Sequence, residues 1–367
     1  MKIEILGKFY DNQSLSIINR NLAVGLSVTN DVNILPLDSP DVSFKVDSKI
    51  IDELKSLEGS NQADIQIRHS YPPIWNWPEH ESTKVVYIQP WEFSAIPSEW
   101  QYKFDTFADA VIVPSEWNAS IYRAAGINPS KIYVVPNGYD ELTFYPAREG
   151  RSDVIRFLYV GCAQFRKGID VLLSVWSQVT KKSERIELVI KDTPQVYGKN
   201  NLLQDVITLQ YKTGCAKISY IDKAMSEQEM AELYRSCDAV VHPYRGEGFG
   251  MHVQEAMASG CFPIVTEGGP TDEFVSEYKI KSSKRVVNPY DIFALKQGDS
   301  MSNMGQHRWV LEPDAQDLAN AIRRYISESK TKTVDTTRLS TWTKAFNMYD
   351  RVLKDINDKQ GTRRARQ

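Results

Sequence analysis

Short apolar runs separated by amphipathic stretches recur along this chain at the spacing of parallel α/β units, and this alternation limits the fold more than any other feature. The runs "KIEIL" (2–6), "VNILPL" (32–37), "ADIQIRH" (63–69), "KVVYIQP" (84–90), "AVIVPS" (110–115) and "KIYVVPNG" (131–138) are expected strands, with stretches of helical period such as "SLSIINRNLAVGL" (14–26) between them. The polar, turn-rich "YDELTFYPAREGRSD" (139–153) is the best linker candidate. The rhythm then restarts with "VIRFLYVG" (154–161), "RIELVIKD" (185–192), "KISYID" (217–222), "AVVHPY" (239–244) and "CFPIVT" (261–266). At 367 residues the chain exceeds what one hydrophobic core supports. The expected fold class is α/β with two doubly wound domains, over 1–148 and 149–330, and a C-terminal segment, 331–367, made of a helix and a frayed basic tail.

Charge divides unevenly between these halves. Residues 1–150 carry 12 Lys and Arg against 20 Asp and Glu, and residues 151–367 carry 32 against 27, balances of −8 and +5. The positive half suits a phosphate-bearing ligand, and the acidic half argues against docking on nucleic acid. No apolar run reaches the roughly 20 residues that span a bilayer, so a cytoplasmic location is expected, with peripheral contact at the inner membrane face as the open alternative. Cys162, Cys215, Cys237 and Cys261 lack metal-ligand spacing and are expected to be reduced, buried thiols.

The stretch that carries chemistry is "RGEGFGMHVQEAMASG" (245–260), between two expected strands. In an open parallel sheet, ligands bind beyond the carboxyl ends of strands, where loops lead into helix N-termini. Glycines at 246, 248 and 250 allow close backbone approach, so amides near Phe249, Gly250 and Met251 can face a diphosphate. "TEGGP" (266–270), with Gly268 and Gly269, follows the next strand and is a second amide source. Glu247 sits in the loop, near whatever is attached beyond the diphosphate; Glu255, inside the helix, can accept hydrogen bonds from ribose hydroxyls. A glutamate that merely complements a helix end, with a second one solvated, is the alternative. Upstream, "YVGCAQFRKGIDVLLSVW" (159–176) places Arg166 and Lys167 at another loop entering a helix, a planar fork and a point charge for phosphate oxygens.

These residues resemble glycosyltransferase family 4, the retaining enzymes with two Rossmann-like domains facing across a cleft, the glycosyltransferase-B fold. "EGFGMHVQE" is similar to the family's E-x7-E motif, "FRKG" to its basic diphosphate-binding loop, and "VIVPSEWNASIYRAAGINPSKIYVVPNGYD" (111–140) to the end of its first domain. The resemblance implies donor binding by the C-terminal domain, acceptor binding mainly by the N-terminal one, C-terminal helices returning toward the N-terminal domain, and no metal or other cofactor. Carried over, Arg166 and Lys167 neutralise the donor diphosphate, Glu247 touches the donor sugar, Gly248, Phe249, Gly250 and Met251 line the amide cradle, Glu255 holds the ribose, and Gly7 approaches the diphosphate from the other side. Many relatives carry a histidine where this chain has Gln89, and His69 matches a histidine-rich stretch one strand earlier.

The acceptor side is read from fewer signals. Trp75, Trp77, Trp91 and Trp100 crowd two proline-rich stretches and suit either stacking on sugar faces or core packing. His69, Gln89, Tyr10, Asp11 and Asn12 complete the acceptor-side candidates. Base contacts are expected near Lys191-Asp192 and Tyr220-Ile221. The expected partners are a nucleotide-diphosphate sugar, UDP- or GDP-linked, and a hydroxyl-bearing saccharide, lipid-linked, protein or small-molecule acceptor, with same-face attack by the acceptor. A catalytically silent binding subunit and an enzyme acting on nucleic-acid bases are the alternatives, the second disfavoured by the acidic first half.

Overall fold

The computed structural model describes residues 1–60, 62–146, 153–194, 200–287, 308–329 and 332–359. The chain forms two compact units: Met1–Trp91 with Ala95–Gly138 and Ser340–Gln367, and Glu92–Ser94 with Tyr139–Leu339. It leaves the first unit at Gly138 rather than near 148, and its terminal helix belongs to that unit instead of standing apart. Residues 147–152 of the expected linker and the tail from 360 lie outside the described residues.

In the first unit, β1 (Lys2–Gly7), β2 (Asp31–Pro36), β3 (Ile65–His69), β4 (Lys84–Ile88), β5 (Ala110–Val113) and β6 (Ile132–Val134) form a parallel sheet in the order β2-β1-β3-β4-β5-β6. Helices α1 (Ser14–Ser27), α2 (Ser48–Leu57), α3 (Ser98–Phe107) and α4 (Glu116–Ala124) connect them. Every residue of β3 and β5 is buried, as a parallel strand covered on both faces must be. That two-sided burial is why the strands read as apolar runs. Chain order reverses between β1 and β3, where Gly7 pairs in register with His69.

The second unit repeats the plan with β7 (Ile155–Val160), α5 (Ile169–Val179), β8 (Ile186–Lys191), α6 (Leu202–Thr213), β9 (Lys217–Ile221), α7 (Glu227–Ser236), β10 (Ala239–His242), α8 (Met251–Ala258), β11 (Phe262–Thr266) and β12 (Lys279–Ile280). Its parallel sheet runs β12-β11-β10-β7-β8-β9, so the order reverses between β7 and β10. An antiparallel pair, β13 (Ser282–Val286) and β14 (Trp309–Pro313), and the helix α9 (Ala315–Glu328) follow. Local chemistry agrees with these boundaries: Ser226 and Glu229 form a reciprocal capping box at the start of α7. All four cysteines are buried, and none forms a disulfide among the described residues. Among the described residues, no helix is long and apolar enough to cross a membrane.

The last helix, α10 (Trp342–Asp358), packs on α1 of the first unit. A side chain at Gly25 would meet the Phe346 ring at 2.3 Å, so glycine lets the two helices close. The Lys84 ammonium, at the start of β4, donates to the carbonyls of Ile356 (2.6 Å) and Asn357 (3.0 Å) and to that of Lys359, capping the negative end of α10. Replacing Lys84 by methionine keeps the aliphatic stem and removes the cap. We expect it to lower the unfolding free energy of the first unit by about 1–2 kcal/mol, read as a lower urea midpoint with an unchanged slope; an unchanged midpoint would show the cap to be idle.

Candidate functional site

Ligands of open α/β sheets lie beyond the strands' carboxyl ends at the point where chain order reverses. In the second unit that point is flanked by the loops after β7 and β10, the two that carry the basic pair and the glycine-rich turn. The first loop ends in a short 3-10 turn, Phe165–Lys167, and then Gly168 at φ 70°. A Cβ on Gly168 would lie 1.8 Å from the Pro243 carbonyl oxygen, so only glycine lets this loop rest on the end of β10. The amides of Arg245 and Gly246 then donate to the Arg166 carbonyl (2.7 and 3.2 Å), joining the loops by their backbones.

Arg245 completes the joint. Its guanidinium, in a side chain 4% exposed, donates to both carboxylate oxygens of Asp170 (2.8 and 2.8 Å), to Glu312 (2.8 to 3.0 Å) and to the Phe165 carbonyl (2.9 Å). It also lies 4.1 Å from the centroid of the Phe165 ring. Sequence reading gave Arg245 no role, because its partners come from the start of α5 and from β14.

Glu247 is the centre of the site. Its Oε2 accepts from the Lys167 ammonium at 2.6 Å, lies 3.0 Å from His242 Nε2 and 3.9 Å from Arg166; its Oε1 accepts from the Gly248 amide at 3.2 Å. Burial alone would raise this carboxyl. The Lys167 charge, the His242 hydrogen bond and the Arg166 charge overcome that and hold it well below the usual range. His242, fully buried, is pushed down to about 4 by burial against the pull of Glu247, and burial beside His242 also drives His252 well below its ordinary value. Sequence reading passed over both histidines; "VVHPY" offers no cue that its histidine points back at the glutamate five residues on.

His242, Glu247 and His252 bring possible metal ligand atoms within 4.8 Å of one another. The donor set does not suit a divalent ion, because Glu247 Oε2 already carries a lysine ammonium at 2.6 Å with a guanidinium at 3.9 Å, and an ion there would face both.

Helix α8 starts without a side-chain cap or an acidic first turn, from Gly250 at φ 97°. The amides of Phe249, Gly250 and Met251 make no protein hydrogen bond among the described residues, so its N-terminus keeps open donors for an anion. The other expected amides are engaged: Gly248 with Glu247, and Gly268 with Asp272 at 2.8 Å. Gly269 instead gives room to Tyr244, whose hydroxyl would lie 2.3 Å from a Cβ there. Glu255 accepts from the Tyr234 hydroxyl at 3.1 Å, and burial together with the neighbouring Glu227 pushes it up to about 8. Beside β8, Asp192 accepts from Tyr220 at 2.7 Å and from Asn200 at 2.8 Å, while Lys191 Nζ turns back to the Asp192 carbonyl.

The first unit brings Gly7 and His69 together at its own reversal point. A Cβ on Gly7 would meet Asn19 Nδ2 at 2.3 Å, and Asn19 Oδ1 accepts from His69 Nδ1 at 2.8 Å. His69 Nε2 is buried without a hydrogen-bond partner among the described residues, and burial lowers this imidazole to about 3. The remaining acceptor-side residues have structural partners. Tyr10 is buried and donates to Glu58 at 2.6 Å; Asp11 accepts from the Gln13 amide at 2.8 Å; Asn12 donates to the Phe44 carbonyl. The Gln89 backbone carbonyl accepts from the Tyr122 hydroxyl at 2.8 Å. Of the two readings of the tryptophans, Trp91 and Trp100 take the packed one, buried with centroids 4.9 Å apart; Trp75 and Trp77 are half-buried and meet Phe104 at 4.9 Å and Phe107 at 5.0 Å.

Substituting Arg245 by methionine takes the buried cation from Asp170 and leaves Glu312 with Arg285 alone, at 2.9 Å. The expected loss of stability is about 2–3 kcal/mol, below the figure for fully buried pairs, because the Asp170 side chain is 58% exposed and regains water. Chemical denaturation checks this; a loss under about 0.5 kcal/mol would deny Arg245 its joint role.

Residues 144–298 match the family model described as glycosyl transferases group 1, and residues 65–141 match that of glycosyltransferase family 4. The chain is 28% identical over 159 residues to mannosylfructose-phosphate synthase of Agrobacterium fabrum, covering 39% of this chain and 34% of that protein. It is 27% identical over 186 residues to the MMP alpha-(1->4)-mannosyltransferase of Mycolicibacterium hassiacum, covering 50% and 42%. The alignments thus span less than half of either relative. Among solved structures, Anabaena HepE in complex with UDP and glucose superposes with a TM-score of 0.65 at 15% identity, over 97% of this chain and all of that one. Two tandem family models, the paired parallel sheets and the shared fold together make this chain a member of glycosyltransferase family 4 with the glycosyltransferase-B fold.

Proposed function

We propose that the chain moves a sugar from a nucleotide-diphosphate sugar to an acceptor hydroxyl, with retention at the anomeric carbon and without a metal ion. The observation that carries this reading is the meeting of Arg166, Lys167, Glu247 and the uncapped N-terminus of α8 at the reversal point of the second sheet. Two fixed cations and open amides match a diphosphate leaving group and take the place a metal would fill. The curated relatives are named for sugar transfer, and HepE was solved with UDP and glucose. Both support a nucleotide-sugar donor, with UDP- and GDP-sugars the first to test. The acceptor class is a saccharide, lipid-linked, protein or small-molecule hydroxyl.

In this reading the bond from the anomeric carbon to the diphosphate oxygen breaks, and its electron pair leaves with the phosphate. The acceptor oxygen forms the new bond from the same face, and its proton passes to the departing phosphate oxygen. Glu247 is already held by Lys167 and His242 and receives sugar hydroxyls, so it serves as an acceptor of hydrogen bonds instead of a nucleophile. Among the described residues Glu255 has no ion-pair partner, and it is set for the ribose diol.

Lys167→Ala is expected to cut kcat at least about a hundredfold in protein that stays folded at the assay temperature, with some loss of melting temperature from the unpaired Glu247, and EDTA is expected to leave the rate within twofold of untreated protein. Loss of turnover in EDTA with recovery on manganese would refute the metal-free reading. For Glu255, burial and the neighbouring Glu227 push the carboxyl up to about 8. Two ribose hydroxyls donate best to the ionised form, so donor binding should draw its pKa down and release a proton. Affinity for an intact nucleotide sugar should therefore rise with pH toward 8 and level off above it. Calorimetry in buffers of different ionisation heat reads the released proton, and Glu255→Gln should abolish both effects; a flat pH profile in the wild type would remove Glu255 from the ribose site.

A further inference from the structure

We propose that His242 is a positioning residue that keeps the Glu247 carboxylate in place when Lys167 turns from it to the donor diphosphate. This rests on the glycosyl-transfer reading above and deepens it. Lys167 and Glu247 neutralise each other at 2.6 Å. An ammonium so committed must give up part of that contact to serve a phosphate, and Glu247 would then be a buried carboxylate short of a partner. His242, 3.0 Å from the same oxygen Oε2, is the side-chain donor that remains in hydrogen-bond reach.

The tautomer follows from the partners. An ionised carboxylate only accepts, so the hydrogen must sit on Nε2 of His242, and Nδ1 is a bare lone pair. Nδ1 is indeed buried with no hydrogen-bond partner among the described residues, so nothing competes for the opposite tautomer. Three features make this imidazole a fixed neutral donor. It ends β10 and is 0% exposed; its ring is packed against Tyr244 at 5.2 Å and edge-on to His252 at 4.2 Å; and Arg166 and Lys167 oppose a third positive charge beside them. Being uncharged, it takes no share of the phosphate and stays with the glutamate through the donor's arrival and departure. A lysine or arginine in its place would be drawn to the phosphate as Lys167 is.

The test compares the wild-type chain with His242→Phe, which keeps an aromatic of similar shape, and His242→Gln, which restores a neutral donor. Expected for His242→Phe are an unchanged melting temperature, affinity for bare UDP or GDP within twofold, donor KM within about threefold, and kcat lowered at least tenfold. The acid limb of kcat, set by Glu247 among Arg166, Lys167, His242 and His252, should move to higher pH because a donor that favours the carboxylate is gone. His242→Gln should recover part of kcat. Wild-type kcat and pH profile in His242→Phe would overturn the proposal, as would a fall in nucleotide affinity parallel to a fall in melting temperature, which marks a packing role. Nitrogen-15 spectra of the wild-type ring stand apart from turnover: a protonated Nε2 with a bare Nδ1 is expected, and the reverse tautomer overturns the proposal even if sugar transfer is confirmed. Should no nucleotide sugar turn over, the transfer reading fails, and the ring signals still decide whether His242 donates to Glu247.

Discussion

The site depends on one saturated guanidinium. Arg245 has five N–H donors, and Asp170, Glu312 and the Phe165 carbonyl take all of them. In the structure it has no donor left to offer, and its charge is cancelled by two carboxylates. What it does is tie the start of α5, the basic loop and β14 to the end of β10. The positions of Arg166, Lys167 and Glu247 relative to one another follow from that tie and from the Gly168 contact beneath it.

Within this frame the two glutamates of one short motif take opposite electrostatic states. Glu247 is surrounded by donors and cations and stays ionised far below its ordinary range; Glu255, a helical turn or two further on, has a tyrosine hydroxyl and another carboxylate for company and stays protonated near neutrality. The same side chain thus supplies a standing negative charge at one end of the site and a proton-coupled acceptor at the other. Neighbours alone make the difference.

The sequence made the sheets legible because the middles of parallel strands buried on both faces are apolar, as in Leu188, Val189 and Ile190 of β8, whose every position is buried. The helix α2 and the β13–β14 pair were not legible: the first is polar on its exposed face, and the second joins residues far apart in the chain, such as Ser282 with Pro313. Arg166, Lys167, Glu247 and Glu255 were readable as local motifs. Their supports were not, since Arg245 needs Glu312 and Asp170, and the direction of the His242 ring depends on the fold. The tryptophans were left between two readings for a related reason: Phe104, Phe107 and Tyr87, which pack against Trp75 and Trp77, come from other elements.

The return of α10 to the first unit governs the order in which the protein can be completed on the ribosome. The strands of the first unit emerge early, but the face of α1 that receives Phe346 and the Lys84 ammonium that holds the helix end lack their partners until residues beyond Ser340 have been made. The whole of the second sheet is synthesised in between. Its contacts are contiguous along the chain apart from Glu92–Ser94, so it can close first. The unit that begins the chain is therefore the one whose packing is completed last, and until then the face of α1 around Gly25 stays uncovered.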